Sequence, residues 1–307
     1  MRKPELLVTP KKIEDIHLLI DAGADAFVIG EQRYGLRLAG EFNRSDVQKA
    51  IEMAHGNDKK VYVAMNAIFH NDKVDELSDY LKFLKEQNVD AVIFGDPAVL
   101  MAAREVAPDL PLHWNTETTA TNWFTCNYWG KRGAKRAVLA REINMDAIIE
   151  MKENAEVEIE VQVHGMTAMF QSKRSLLGNY FEYQGNENEL DKQQKNMILH
   201  DKERANKYPI FEDENGTHIM SPNDICIIDE LQELLEAGID SFKIDGILHT
   251  SEYLIEVTKL YREAIDLFHE DPDLYEDKKG ELLEKIEDIQ PKNRPLDTGF
   301  FFKETVY

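Results

Sequence analysis

Four near-identical helix-to-strand junctions, eight apolar strand-length runs alternating with helical stretches, and the lack of a glycine-rich phosphate loop predict an α/β fold. The expected architecture is a TIM-like (β/α)8 barrel with a long loop excursion on its C-terminal rim. The junctions are DAGADAFVIG (21–30), EQNVDAVIFGD (86–96), KRGAKRAVLARE (131–142) and EAGIDSFKIDG (236–246). Each closes an amphipathic helix and opens a β-branched or apolar run. Gly23, Asn88, Gly133 and Gly238 fall where a helix C-cap requires positive φ, which glycine and asparagine tolerate. The other strands are PELLVT (4–9), KVYVAMNAI (60–68), LPLHWNTE (110–117) and VEIEVQVH (157–164), read as continuous apolar runs buried on both faces. Helices are expected over KKIEDIHLLIDA, VDELSDYLKFLKE, PAVLMAAREV, NWFTCNYWGKR, NMDAIIEMKEN and DELQELLEA. Eight βα units favour a closed barrel; a flavodoxin-like half followed by a second domain is the alternative.

After His164 the rhythm breaks. The stretch that begins HGMTAMFQSKRSLLGNY runs for about fifty residues without a steady period, an unusual length for a compact domain. YLIEVTKLYREAIDLFHE (253–270) restores the helical pattern, and a charged accessory helix is expected over 271–289. The Pro-punctuated tail QPKNRPLDTGFFFKETVY should pack on the barrel or on a partner. The expected organisation is a barrel over 1–270, containing the excursion 165–222, and an accessory helix and tail over 271–307.

Composition narrows the function. Thirty-six Lys and Arg against 58 Asp and Glu give a net charge of −22, which excludes a surface built throughout to bind polyphosphate. A local basic patch stays compatible with that charge. Cys126 and Cys226, the two cysteines, have no CxxC neighbour, so a zinc or iron–sulfur site made by this chain alone is not expected. The sequence shows no basic-then-apolar leader and no run of eighteen apolar residues, as expected of a soluble cytoplasmic protein with free thiols.

In such a barrel the chemistry belongs at the strand ends. These read Thr9; Glu31 with Arg33 and Arg37; Asn66; Asp96; Asn115 and Glu117; Arg141 and Glu142; His164; and Lys243 with Asp245. A ring of such groups on one rim suits a small-molecule pocket. Arg33 and Arg37, four apart, would share a face of a helical turn and grip a carboxylate or phosphate; the alternative is salt bridging to Glu31 or Glu41. His164 reads equally as a strand-end catalytic group and as a core histidine. Arg141 and Glu142 read equally as site residues and as a structural ion pair. A metal on His113, Glu117 and His164 lacks supporting spacing. GxSxG is absent, and Ser172 and Ser175 beside Lys173 and Arg174 are a weak nucleophile signal.

Four ordered strings carry a resemblance: ADAFVIGEQRYGLRLAGEF, NWFTCNYWGKRGAKRAVLARE, VHGMTAMFQSKRSLLGNY and IMSPNDICIIDELQELLEAGIDSFKIDGILHTSEY. Over nearly its whole length the chain resembles the collagenase-like peptidases of family U32, and is most similar to short bacterial members encoded as pairs of paralogues. The resemblance implies either peptidase activity or hydroxylation without flavin or haem, including conversion of the transfer-RNA wobble uridine to 5-hydroxyuridine with prephenate. Members of that kind carry four cysteines holding an iron–sulfur cluster, two of them seven apart after VHG. Here those two positions are Ala168 and Ser175, and no cysteine lies between Ala168 and Cys226. No cofactor is therefore expected in this chain. The family's KIEGR ending reads KIDGI at 243–247, keeping the acid as Asp245 and losing the arginine at Ile247. The strand-end reading gives catalytic roles to His164, Arg141, Glu142 and Asp245 and ligand binding to Glu31, Arg33, Arg37, Asn115, Glu117 and Lys243; prephenate, a dicarboxylate, would suit Arg33, Arg37 and Arg141. The resemblance implies as partners a cluster-bearing paralogue, transfer RNA through that partner, and a small carboxylate such as prephenate, with no membrane. A collagenase-like peptidase and a non-catalytic barrel partner are the alternatives.

Overall fold

The computed structural model describes residues 2–185, 197–201, 203 and 206–304. Parts of the expected excursion (186–196) and of the aromatic tail (305–307) lie outside the described residues. Seven strands run in order: β1 (Glu5–Val8), β2 (Ala26–Ile29), β3 (Lys60–Met65), β4 (Ala91–Phe94), β5 (Leu112–Trp114), β6 (Ala134–Val138) and β7 (Glu158–Gly165). They alternate with α1 (Ile13–Asp21), α2 (Arg44–His55), α3 (Asn71–Glu86), α4 (Pro97–Val106), α5 (Trp123–Gly130) and α6 (Met145–Asn154). An excursion follows: β8 (Ala168–Ser172), α7 (Leu176–Tyr183), β9 (Met197–His200), β10 (Lys207–Asp213), β11 (Gly216–Met220) and β12 (Asp224–Cys226). The chain returns through α8 (Gln232–Glu236) to β13 (Ser241–Ile244), then α9 (Ser251–Glu270), α10 (Pro272–Ile289) and β14 (Leu296–Asp297). Strand β13 pairs in parallel with both β1 and β7, which closes the expected eight-stranded parallel barrel.

The junction chemistry holds where sterics dictate it. Gly23, Asn88, Gly133 and Gly238 all have positive φ, at 98°, 57°, 103° and 71°. Helix α2 goes beyond the expected helices: Asn43 caps it by accepting from the Ser45 and Asp46 amides, and Val47, Ala50, Ile51 and Ala54 form its buried stripe. The strand expected over 110–117 is confined to Leu112–Trp114, because Asn115 and Glu117 turn into the mouth. A large core lies between strands and helices, and a smaller one of Leu7, Val28, Leu38, Ala64 and Ile93, with neighbours, fills the barrel interior.

The excursion is a sheet rather than a loop. Strands β8, β11, β10 and β9 pair antiparallel in that order, and Asn215 binds the Gln32 and Gly35 carbonyls of the segment after β2. Strand β12 pairs antiparallel with the end of β7 and in parallel with β14, so the tail is sewn to the barrel. Of the three consecutive phenylalanines, Phe301 is buried in the molecule's own core, while Phe300 and Phe302 are exposed.

Candidate functional site

The C-terminal ends of the strands surround a cavity of about 790 Å³, counted out to solvent, and Met166 and Met220 of the excursion line it too. Its walls differ in character. Val28, Leu36, Leu38, Ala64 and Ile93 make an apolar side from β2, β3, β4 and the segment after β2. Asn115, Glu117, Arg141, Gln162, Lys243 and Asp245 make a polar side from the ends of β5, β6, β7 and β13.

Glu117 is the hub of the polar wall. It holds φ of +65° after β5, and its backbone amide donates to Asn115 Oδ1 at 3.0 Å. Its Oε2 accepts from Arg37 Nη2 and lies 3.2 Å from Arg141 Nη2. Burial pushes the carboxyl up, but Arg141, Arg37 and Lys243 outweigh it and hold Glu117 down at about 2. Arg37 is nearly buried and reaches the excursion as well: Nη1 donates to Gln171 Oε1 at 3.2 Å and meets His218 Nδ1 at 3.4 Å. His218 Nε2 lies 2.9 Å from Asp213 Oδ1, which suits the tautomer that donates to Asp213 and accepts from Arg37. One guanidinium thus ties the rim to its cover.

Across the mouth, Lys243 Nζ pairs with Asp245 Oδ2 at 3.0 Å. Asp245 Oδ1 accepts from Thr9 Oγ1 at 3.4 Å and from the Ile247 amide at 3.1 Å. Glu160 lies deeper and is almost fully buried; burial raises its pKa, against the opposing charges of Arg136 and Lys243. Below it, Arg136 is clamped by Glu5 at 2.6 Å, Glu158 at 2.8 Å and Glu160 at 3.4 Å, and Tyr62 donates to Glu5 at 2.7 Å. This ionic plug closes the bottom of the barrel.

The fold brings together Arg37, Asn115, Glu117, Arg141, Lys243 and Asp245 of the expected site residues. The others stand elsewhere. A single turn over 31–35, in which the Gly35 amide donates to the Glu31 carbonyl at 2.9 Å, ends before Arg37, whose φ is +51°; Arg33 points outward to a two-pronged pair with Glu76 on α3. Glu31 is half-buried against Tyr80 and Arg44, where burial raises its pKa. Glu142 is exposed and borders an outer chamber of about 1110 Å³, which it shares with Glu117, Arg141, Ala168, Tyr208 and Phe300. Arg141 and Glu142 are therefore not an ion pair; Arg141 pairs with Glu117.

His164 also lies outside the cavity. The β7–β13 register slips between Lys243 and Ile244, so Gln162 faces inward and His164 faces the helical layer. There its Nε2 lies 2.7 Å from the Tyr253 hydroxyl, and burial drives its pKa down to about 3. The Tyr253 hydroxyl donates to Gln290, which donates to Asp224 at 2.7 Å; Arg294 and His249 pair with the same carboxylate. His113 lies inside the barrel against Tyr62, so His113, Glu117 and His164 occupy three separate places.

Sequence reasoning missed Glu160 and Gln162, although polar residues at every second position of VEIEVQV mark one face of a strand turned inward. Gln171 and His218 carried no comparable signal, since antiparallel pairing of distant segments brings them to Arg37. The turn between β10 and β11 was readable from Asn215-Gly216 between two strand-like runs.

Among the described residues no helix is long and apolar enough to cross a membrane. Over its full length the chain is 72% identical to all of "tRNA hydroxylation protein P2" of Bacillus subtilis (strain 168). It is 34% identical, over 98% of itself and 71% of the relative, to "tRNA hydroxylation protein P1" of the same organism. Among solved structures it resembles the U32 peptidase Mk0906, with a TM-score of 0.50 and 14% identity over 80% of this chain and 94% of that one, a likeness of fold. The sequence pattern of "Peptidase family U32" matches residues 11–306, from just after β1 through the rest of the barrel and its cover to the sewn-in tail, so the chain belongs to that family.

Proposed function

We propose that this chain is a cytoplasmic subunit of a system that hydroxylates the wobble uridine of transfer RNA to 5-hydroxyuridine, with a small carboxylate such as prephenate bound in the barrel mouth. The observation that carries the reading is full-length 72% identity to a protein named for transfer-RNA hydroxylation. The cavity supports the ligand class. Arg37 and Arg141 converge on one carboxylate opposite an apolar wall, which suits a ligand with an apolar ring and carboxylate substituents.

The residues present do not fit a four-thiolate cluster. Ala168 lies in β8 and Ser175 precedes α7, and neither offers a thiolate. Cys126 and Cys226 are buried on α5 and β12, and burial pushes both thiols up to about 11, away from the thiolate a cluster requires. In our reading the cluster resides on a paralogue of the P1 kind, and this chain contributes the carboxylate site and a docking surface. The acidic chain also leaves most phosphate contacts to that partner.

The peptidase reading rests on the family's description, and among the described residues no serine or cysteine lines the cavity to act as nucleophile. Nucleoside mass spectrometry of transfer RNA from a strain lacking this chain tests the proposal. Loss of wobble 5-hydroxyuridine and its derivatives is expected. Unchanged modification, together with gelatin or peptide cleavage by the pure protein, would replace it with the peptidase reading.

A further inference from the structure

Lys243 is the one lysine that lines the barrel mouth among the described residues. It sits at the end of β13, opposite Leu7 of β1 and Gln162 of β7. Among the described residues its single partner there is Asp245, at 3.0 Å, so two of its three N–H donors are left for a ligand. Lys243 shares the cavity with Glu117, which the arginines hold at the rim, and with the buried acid Glu160. Arg141 meets only Glu117 among the described residues, through Nη2, so its remaining N–H groups are also available. The apolar wall of Val28, Ala64 and Ile93 completes the enclosure.

We propose that Lys243 forms an imine with a small 2-oxo acid, the carboxylate being taken by Arg141 and the apolar body lying on the Val28–Ala64–Ile93 wall. The proposal rests on the reading of the mouth as a carboxylate site and narrows its ligand to one with a ketone beside the carboxylate. Asp245 first accepts a proton from the ammonium. The neutral amine attacks C2; the C–N bond forms and the carbonyl π pair moves to oxygen. A proton passes from nitrogen to that oxygen. Asp245 then returns its proton to the hydroxyl, which leaves as water with the C–O electron pair while the nitrogen lone pair forms the C=N bond. Nothing is oxidised or reduced, and the product is a protonated imine that draws electrons from the substrate. Asp245 is suited to this shuttle because Thr9 and the Ile247 amide fix its other oxygen.

The test is borohydride trapping on the full chain, with phenylpyruvate as probe and pyruvate as the probe without an apolar ring. One reduced adduct per chain, mapped to Lys243 by peptide mass spectrometry, is expected, with faster labelling by phenylpyruvate. Lys243→Arg keeps the positive charge and should abolish the adduct; Arg141→Ala should slow trapping about tenfold. Should Lys243→Arg fail to fold, protection of Lys243 in the unmodified chain by succinate, which has carboxylates and no ketone, decides the same question. No adduct, adducts spread over surface lysines, or no protection by succinate would overturn the proposal. Calorimetry with succinate separates the two readings: binding without trapping sinks the imine alone, and neither binding nor trapping sinks the carboxylate site as well.

Discussion

Replacing Glu117 by glutamine keeps the shape of the hub and removes its charge, which leaves the nearly buried Arg37 and the partly buried Arg141 facing each other across a neutral amide. In the folded protein Glu117 is held at about 2, against an ordinary value of 4.5. A tenfold change in proton affinity corresponds to about 1.4 kcal/mol, so the ionised carboxylate contributes about 3 kcal/mol near neutrality. The sign follows from a depressed folded value: the contribution is complete above the unfolded value and is lost as pH falls through the folded one. Glu117→Gln mimics the protonated form, so the stability gap between the two proteins should be about 3 kcal/mol at pH about 7. It should shrink to about 2 kcal/mol near pH 3.5 and to less than about 1 kcal/mol near pH 2.5. Urea unfolding at these pH values measures it. A variant as stable as the parent at neutral pH, or a gap that does not narrow with acid, would refute the hub.

Four further substitutions separate cavity from scaffold. Arg33→Ala should leave carboxylate affinity by calorimetry unchanged and melting within error of the parent, because its pair with Glu76 is exposed. His164→Phe should spare carboxylate binding. It should also flatten the pH dependence of stability between about 6.5 and about 3, where a neutral folded histidine costs about 1.4 kcal/mol per pH unit as the unfolded chain takes up its proton. Asp224→Asn strands Arg294 in a buried site and should lower stability by about 3 kcal/mol or more in urea unfolding, with faster proteolysis after α10 as β14 loosens. Gly165→Ala introduces a Cβ 2.2 Å from the Asp245 carbonyl oxygen at a φ of +100°, and should weaken carboxylate binding in calorimetry by displacing the Lys243–Asp245 pair.

The barrel was legible because its punctuation is local: a C-cap at Asn88 or Gly133 depends on a few neighbouring atoms and on nothing distant. Helix α2 is equally legible from the spacing of Val47, Ala50, Ile51 and Ala54. Register was not legible. A single slip between β7 and β13 turns His164 from the cavity to the helical layer, and only the paired strand reveals it. The Arg33–Arg37 reading failed because it carried the helical turn through Arg37, whereas the turn at 31–35 stops short of it. The segment is shaped instead by Arg37 at positive φ and by Gly40, where an added Cβ would lie 1.8 Å from the Lys11 carbonyl oxygen. Glu117 and Arg141 were visible as strand-end charges, but their union with Arg37 depends on three separate segments meeting at one rim.

The most direct test of the account is complementation read out on transfer RNA. In a strain lacking this chain, the parent gene should restore wobble 5-hydroxyuridine by nucleoside mass spectrometry. A gene carrying Arg37→Ala and Arg141→Ala should not, although its product accumulates and elutes with the paralogue on size-exclusion chromatography. Restoration by the double variant to the parental level would show that the barrel mouth is not where this chain acts.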